Sequence, residues 1–210
     1  MKIIGLTGGI GMGKSTAAAA FRRAHIPVFD ADAAVHALQS PNGRALPAIA
    51  AAFPGTVTQA VLDRAALRQI VLSSPTALKT LESILHPMVR RMERRFLARA
   101  RASGARAAVL DIPLLFETHG EGRVDEVVVV SAPRAVQMQR VGRRRKMSPV
   151  QIAAIIARQT PDLEKRHRAD RVIQTGLSRH HALRQLRRYI IGLTGARAAA
   201  SKTAPSAPER

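Results

Sequence analysis

Residues Gly8-Gly9-Ile10-Gly11-Met12-Gly13-Lys14-Ser15 fit the pattern G-x-x-x-x-G-K-[S/T]. The apolar run Ile3-Ile4-Gly5-Leu6 precedes them, and the helix-prone Thr16-Ala17-Ala18-Ala19-Ala20-Phe21 follows. A phosphate group needs several backbone N–H donors converging on one point. Glycines let the chain wrap round it at positive φ, and a helix N-terminus adds further donors and a favourable dipole. The spacing therefore predicts a strand, a phosphate-binding loop from Gly8 to Thr16 and a helix, with a nucleoside triphosphate as ligand. In this pattern Lys14 reaches the β- and γ-phosphates, and the Ser15 hydroxyl ligates Mg²⁺.

At 210 residues the chain can bury one good core, with room for an inserted subdomain. Thirty-four Lys and Arg against 14 acidic residues give a net charge of +20, so the partner is expected to be polyanionic: nucleic acid, an acidic membrane or a phosphate-rich small molecule. Five Phe, one Tyr and no Trp leave little for a base-stacking platform, which argues against nucleic acid. The absence of Cys excludes a disulfide framework, a thiolate nucleophile and a Cys-based zinc site. No apolar run approaches the roughly 18 residues of a membrane span, and no signal-peptide organisation precedes the first strand. The expectation is a soluble cytoplasmic protein, taken as a monomer.

Apolar β-type runs at 2–7, 27–29, 107–112, 126–131 and 171–173 are separated by segments of helical periodicity. That alternation predicts a doubly wound α/β fold with a five-stranded parallel sheet. The gap over residues 33–106 is too long for one crossover and carries only helix signals, predicting an all-helical insertion. Within it Ser74-Pro75 reads as a cap and first-turn proline. Leu78, Leu81, Leu85, Met88, Val89, Met92 and Phe96 then form an apolar stripe read as packing. A second helical region carries Gln137, Arg140, Arg143, Arg144, Arg145 and Lys146 as a basic helix–loop–helix flap. Ser148 and Gln151 make a capping box for a helix running to about Gln159. The core is thus expected over 1–32, 107–136 and 160–194, the insertion over 33–106, the lid over 137–159, and a disordered tail over 195–210.

Phe29-Asp30-Ala31-Asp32 places two acids just after a strand that neighbours the phosphate loop, where ligands bind in open parallel sheets. One can face a reacting hydroxyl while the other organises the metal's water shell or caps the helix beginning near Ala33. Asp111 ends an apolar strand run, the position of a Walker B acid near Mg²⁺.

Together, Gly5-Leu6-Thr7-Gly8-Gly9-Ile10-Gly11, Asp30-Ala31-Asp32, Leu85-His86-Pro87, Asp111-Ile112-Pro113-Leu114-Leu115-Phe116-Glu117 and Ala169-Asp170-Arg171-Val172-Ile173 strongly resemble the dephospho-CoA kinase family over about residues 2–192. The resemblance implies transfer of the γ-phosphate of ATP to the 3′-hydroxyl of dephospho-coenzyme A. It implies that Asp32 accepts the hydroxyl proton, that Lys14 and Mg²⁺ neutralise charge on the transferring group, and that Arg140 and Arg144 belong to a flap closing over ATP. It places Gln174-Thr175-Gly176 beside the adenine, and Asp32, Arg64, Leu67, His86, Pro113 and Leu114 around the coenzyme A moiety. His86 is read as a structural hydrogen-bonding residue rather than a proton shuttle. Met12 stands where the family usually has Ser, Gln174 where an acid is common and Leu72 where an aromatic is usual. The competing readings are another small-molecule P-loop kinase, acting on a nucleoside, nucleotide or shikimate, and a basic NTP-dependent nucleic-acid-binding protein.

Overall fold

A computed structural model describes residues 1–145, 148–157 and 159–195. In chain order the elements are β1 (Lys2–Thr7), α1 (Lys14–Arg23), β2 (Val28–Asp30), α2 (Ala31–Leu38), α3 (Leu46–Ala52), β3 (Val57–Thr58), β4 (Val61–Leu62), α4 (Arg64–Ser73) and α5 (Pro75–Ala102). There follow β5 (Ala107–Asp111), β6 (Glu126–Ser131), α6 (Arg134–Arg145), α7 (Pro149–Ala157), α8 (Asp162–His167), β7 (Arg171–Gln174) and α9 (Arg179–Gly195). They form two compact units, one of Met1–Phe29 with the chain from Ala100 onward, the other of Asp30–Arg99.

The first unit is built on a five-stranded sheet in the order β2-β5-β1-β6-β7, confirming the doubly wound α/β class. β1 lies parallel to both β5 and β6, with Leu6 opposite Asp111 on one side and Val128 on the other. β5 and β6 are buried along their whole length, as strands covered on both faces must be, and their runs of Ala, Val and Leu supply the required apolar surface. Ile4, Leu6, Phe21, Val109, Val130 and Leu186 join the sheet to α1 and α9. The Phe21 ring meets Tyr189 edge-on at 6.2 Å. Full burial of a side chain such as Phe21 contributes about 1.5–3 kcal/mol.

The capping box is present: the Ser148 N–H donates to Gln151 Oε1, and the Gln151 N–H donates to Ser148 Oγ. α7 ends at Ala157, two residues short of the expected Gln159, and that residue has another task. The expected tail lies beyond Gly195 and so outside the described residues, as do Lys146 and the side chains of Arg144 and Arg145.

The second unit corrects one expectation. It is not all helical, because β3 and β4 form an antiparallel hairpin. Gln59 and Ala60 make its two-residue turn at φ 49° and 58°. Such turns ordinarily announce themselves by Asn-Gly or Asp-Gly, and neither residue here carries that signal. The Asn42 N–H donates to the Ala60 carbonyl and holds the turn in place. Elsewhere local signals prevail: Ser74 Oγ accepts from the Ala77 N–H at the start of α5, and Asp63 Oδ1 accepts from Ala65 and Ala66 at the start of α4. The apolar stripe of α5 packs through Leu81, Leu85, Met88, Val89 and Met92 against Leu38, Ile49, Phe53 and Leu67, whereas Leu78 is exposed.

Candidate active site

β1 delivers the chain to the phosphate loop at Thr7, whose hydroxyl donates to the Pro113 carbonyl at 2.9 Å. Gly13 heads α1 in the left-handed region, φ 94°, where a Cβ would be strained. No side chain caps α1, so none of its first-turn N–H groups is taken by a side-chain acceptor, and the positive end of its dipole opens on the loop. Lys14 and Asp111 meet here: Nζ lies 2.8 Å from Oδ1, with the two side chains 18% and 4% exposed. Ser15 is exposed beside them.

Arg140 comes from α6. Its guanidinium donates to the Thr175 carbonyl at 2.6 Å, to Thr175 Oγ1 at 3.1 Å and, at 3.5 Å, to the Gly11 carbonyl. Thr175 Oγ1 in turn donates to the Met12 carbonyl at 2.7 Å. The expected flap arginine is thus hydrogen-bonded both to the phosphate loop and to the loop after β7. Gly176 follows, and a Cβ there would stand 2.2 Å from Pro133 Cδ. Gly13, Thr16, Arg140, Thr175, Arg179 and Leu186 enclose a cleft of about 160 Å³ next to the loop. A larger hollow, about 540 Å³ and lined by Lys2, Glu126, Arg171, Arg188 and Tyr189, lies at the opposite, N-terminal ends of the strands. Ligands in open parallel sheets bind beyond the carboxyl ends, so the smaller cleft is the nucleotide candidate. In the larger one, burial and the Glu126 carboxylate push the Tyr189 hydroxyl pKa far upward and keep it protonated.

In the second unit the two acids have separate positions. Asp30 is the N-cap of α2, its Oδ1 accepting from the Ala33 N–H at 2.9 Å, while Asp32 stands exposed in the first turn of α2. Of the expected acceptor residues, Arg64 contacts His36 Nδ1 at 3.0 Å. Leu67 is 4% exposed within the unit's apolar core, so its side chain is committed to packing rather than presented to a ligand. His86 is exposed on α5 and finds no side-chain hydrogen bond among the described residues, so the structural hydrogen-bonding role expected of it is not realised there. In the first unit Pro113 is half-buried and Leu114 exposed.

Further residues complete the surroundings of the loop, and of these Glu117 lies in a stretch that carries the family resemblance, whereas Gln159, Thr160 and Lys165 carry no motif-level signal. Gln137 Nε2 donates to the Ile10 carbonyl at 2.8 Å, and Gln159 Oε1 accepts from the Ile10 N–H at 3.1 Å. The next N–H, of Thr160, donates to Glu117 Oε1 at 2.8 Å. Lys165, 1% exposed, brings Nζ to 2.9 Å from the same oxygen, an ion pair by distance whose angles fall short of a hydrogen bond. Burial pushes the Glu117 carboxyl pKa up, but the Lys165 ammonium and the Thr160 N–H outweigh it, and the net shift is downward. Ser131 Oγ donates to Asp162 Oδ2 at 2.8 Å, and the Arg168 guanidinium lies 4.5 Å over the Phe116 ring. The segment 159–168 is thus tied at several points to the sheet and to the Leu115-Phe116-Glu117 stretch.

The sequence model of the family described as dephospho-CoA kinase matches residues 2–179. A dephospho-CoA kinase of Mesorhizobium japonicum is 53% identical over 197 residues, covering 94% of this chain and 99% of that one. One of Brucella melitensis is 50% identical, covering 96% of this chain and the whole of its own. Among solved structures, a Thermus thermophilus protein superposes with a TM-score of 0.81 at 38% identity, over 92% of this chain and 98% of its own. The dephospho-CoA kinase of Campylobacter jejuni shares the fold at a TM-score of 0.71 and 23% identity, over 93% and 98% of the two chains.

Proposed function

This chain belongs to the dephospho-CoA kinase family, a phosphotransferase family of coenzyme A biosynthesis, and we propose that it moves the γ-phosphate of ATP to the 3′-hydroxyl of dephospho-coenzyme A. The observation that carries the nucleotide half is the Lys14–Asp111 pair at the head of a helix with no side-chain cap. A loop that presents N–H donors and a lysine to a polyphosphate spreads the charge that develops on the transferring group. Arg140, hydrogen-bonded to Thr175, brings its guanidinium to the same region, and the cleft beside it takes the nucleoside.

Mg²⁺ fits the donors present. The Ser15 hydroxyl and the Asp111 carboxylate are hard oxygens, and a magnesium ion takes few protein ligands, leaving its other positions to water and phosphate. Held by these residues, the ion would supply positive charge to offset the negative charge developing on the transferring group.

We assign Asp32 as the group that orients the acceptor hydroxyl and takes its proton. Asp30 is occupied as a cap, while Asp32 is exposed in the first turn of the helix that Asp30 caps. Arg64 and His86, in an insertion over 33–106, and Pro113 and Leu114, which follow β5, remain the assigned acceptor contacts, with a lid over 137–159 and a core from the remaining residues up to 194. No helix among the described residues is long and apolar enough to cross a membrane; a monomeric, cytoplasmic enzyme is the proposal. A coupled ADP-release assay with ATP tests the reading against dephospho-CoA, adenosine, AMP and shikimate, with DNA or RNA added in parallel. Turnover with dephospho-CoA alone is expected. Equal turnover of another acceptor, or stimulation by nucleic acid without it, would overturn the assignment.

A further inference from the structure

We propose that Gln137 and Gln159 are positioning residues that hold Ile10 by both of its backbone polar groups, the N–H of the Gly9–Ile10 peptide and the carbonyl of the Ile10–Gly11 peptide, and so set the phosphate loop for nucleotide. Gln137 on α6 donates through Nε2 to the Ile10 carbonyl, and Gln159, just past α7, accepts the Ile10 N–H through Oε1. The polarity is forced, because a carbonyl only accepts and a backbone N–H only donates. Gly9 leaves room for both amides: a Cβ there would stand 3.1 Å from Gln137 Nε2 and 3.3 Å from Gln159 Oε1.

Neither glutamine is loosely held. Gln137 is 3% exposed, one turn of α6 before the Arg140 that binds Thr175. Gln159 precedes Thr160, whose N–H is fixed on Glu117 beside the buried Lys165. The backbone on either side of the Ile10 Cα is therefore clamped between two anchored amides, and the N–H groups that follow it in the loop inherit its orientation. A phosphate cradle depends on several donors pointing at one centre, so an orientation set in advance lowers the cost of binding.

This inference rests on the assignment of the loop to nucleotide phosphates. Its test is titration of the full chain with ATP and, separately, with dephospho-CoA, comparing the unaltered protein with Gln159→Leu and Gln137→Met. Each substitution removes one polar contact at similar side-chain size. Loss of a hydrogen bond that orients the loop is expected to weaken ATP binding about five- to tenfold, with dephospho-CoA binding alone within about twofold of the unaltered chain. Substitution of the buried Gln137 threatens the packing of α6, so the half-buried Gln159 decides the matter on its own. ATP affinity within twofold in Gln159→Leu overturns the clamp, and so does a parallel fall for both ligands, which marks a general structural defect. Failure of the unaltered protein to bind ATP at all overturns the nucleotide assignment instead.

Discussion

Lys14 Nζ and Asp111 Oδ1 stand 2.8 Å apart, although 97 residues separate them in the chain. The lysine opens α1 and the carboxylate closes β5, and the β1–β5 register places Leu6 opposite Asp111. The pair keeps a cation at the loop and a mostly buried carboxylate compensated. A nucleotide with its metal would give each a new counter-charge.

Lys14→Ala is expected to abolish phosphoryl transfer, a fall of at least about 10²-fold in kcat for one lost electrostatic contact to the developing charge. It also leaves Asp111 without its ammonium partner at a site 4% exposed. A lowered Tm is expected along with the lost activity, since removing one member of a buried pair is costly. Retention of more than about a tenth of the activity would contradict the loop's role.

Asp30 and Asp32 are expected to separate cleanly. Asp32→Asn should lower kcat about 10²-fold or more with ATP affinity nearly unchanged, as loss of a proton acceptor does. Asp30→Asn keeps an oxygen for the Ala33 N–H and should be mild, whereas Asp30→Ala should cost about 1 kcal/mol through the lost cap. Steady-state kinetics and urea unfolding of the three variants check this. Normal kcat in Asp32→Asn would place the base elsewhere.

Glu117→Gln should destabilise the protein by about 3 kcal/mol near neutral pH, because it strands the buried Lys165 ammonium. The carboxyl pKa is lowered by folding, so its contribution to stability is complete above the usual value of 4.5 and is lost as pH falls through the folded-state value. The gap between Glu117→Gln and the unaltered chain should accordingly narrow on acidification below 4.5. Urea midpoints measured across that range would show a constant gap if the charge were irrelevant.

Ala60→Gly is expected to stabilise the Asp30–Arg99 unit. Ala60 is exposed at φ 58° in the β3–β4 turn, a conformation that costs an L-residue about 1 kcal/mol and glycine nothing. The greater freedom of glycine in the unfolded chain offsets part of that, leaving a rise of a few tenths of a kcal/mol. An unchanged or lower thermal midpoint would show the strain to be absorbed elsewhere.

What could be read from residues alone was whatever depends on a short span of chain. Backbone conformation at Gly13, apolar periodicity along β5, β6 and α5, and caps at Ser74 and Ser148 are local demands met by local chemistry, so the sheet, most helices and the phosphate loop were legible. The β3–β4 hairpin was not, because Gln59-Ala60 adopts a turn for which neither residue has a preference, and a contact from Asn42 maintains it. The family pattern identified Arg140 but not its partners within the chain. Its bonds to Thr175 depend on the packing of α6 against the loop after β7, which no sequence spacing contains. Leu67 shows the same limit in reverse, since only packing decided that it faces a core. The grip of Gln137 and Gln159 on Ile10 spans 127 and 149 residues. Glutamine at the surface of a helix and glutamine bonded to the backbone of a half-buried loop look alike in one dimension, and only tertiary structure, by choosing which polar groups lose their water, decides between them.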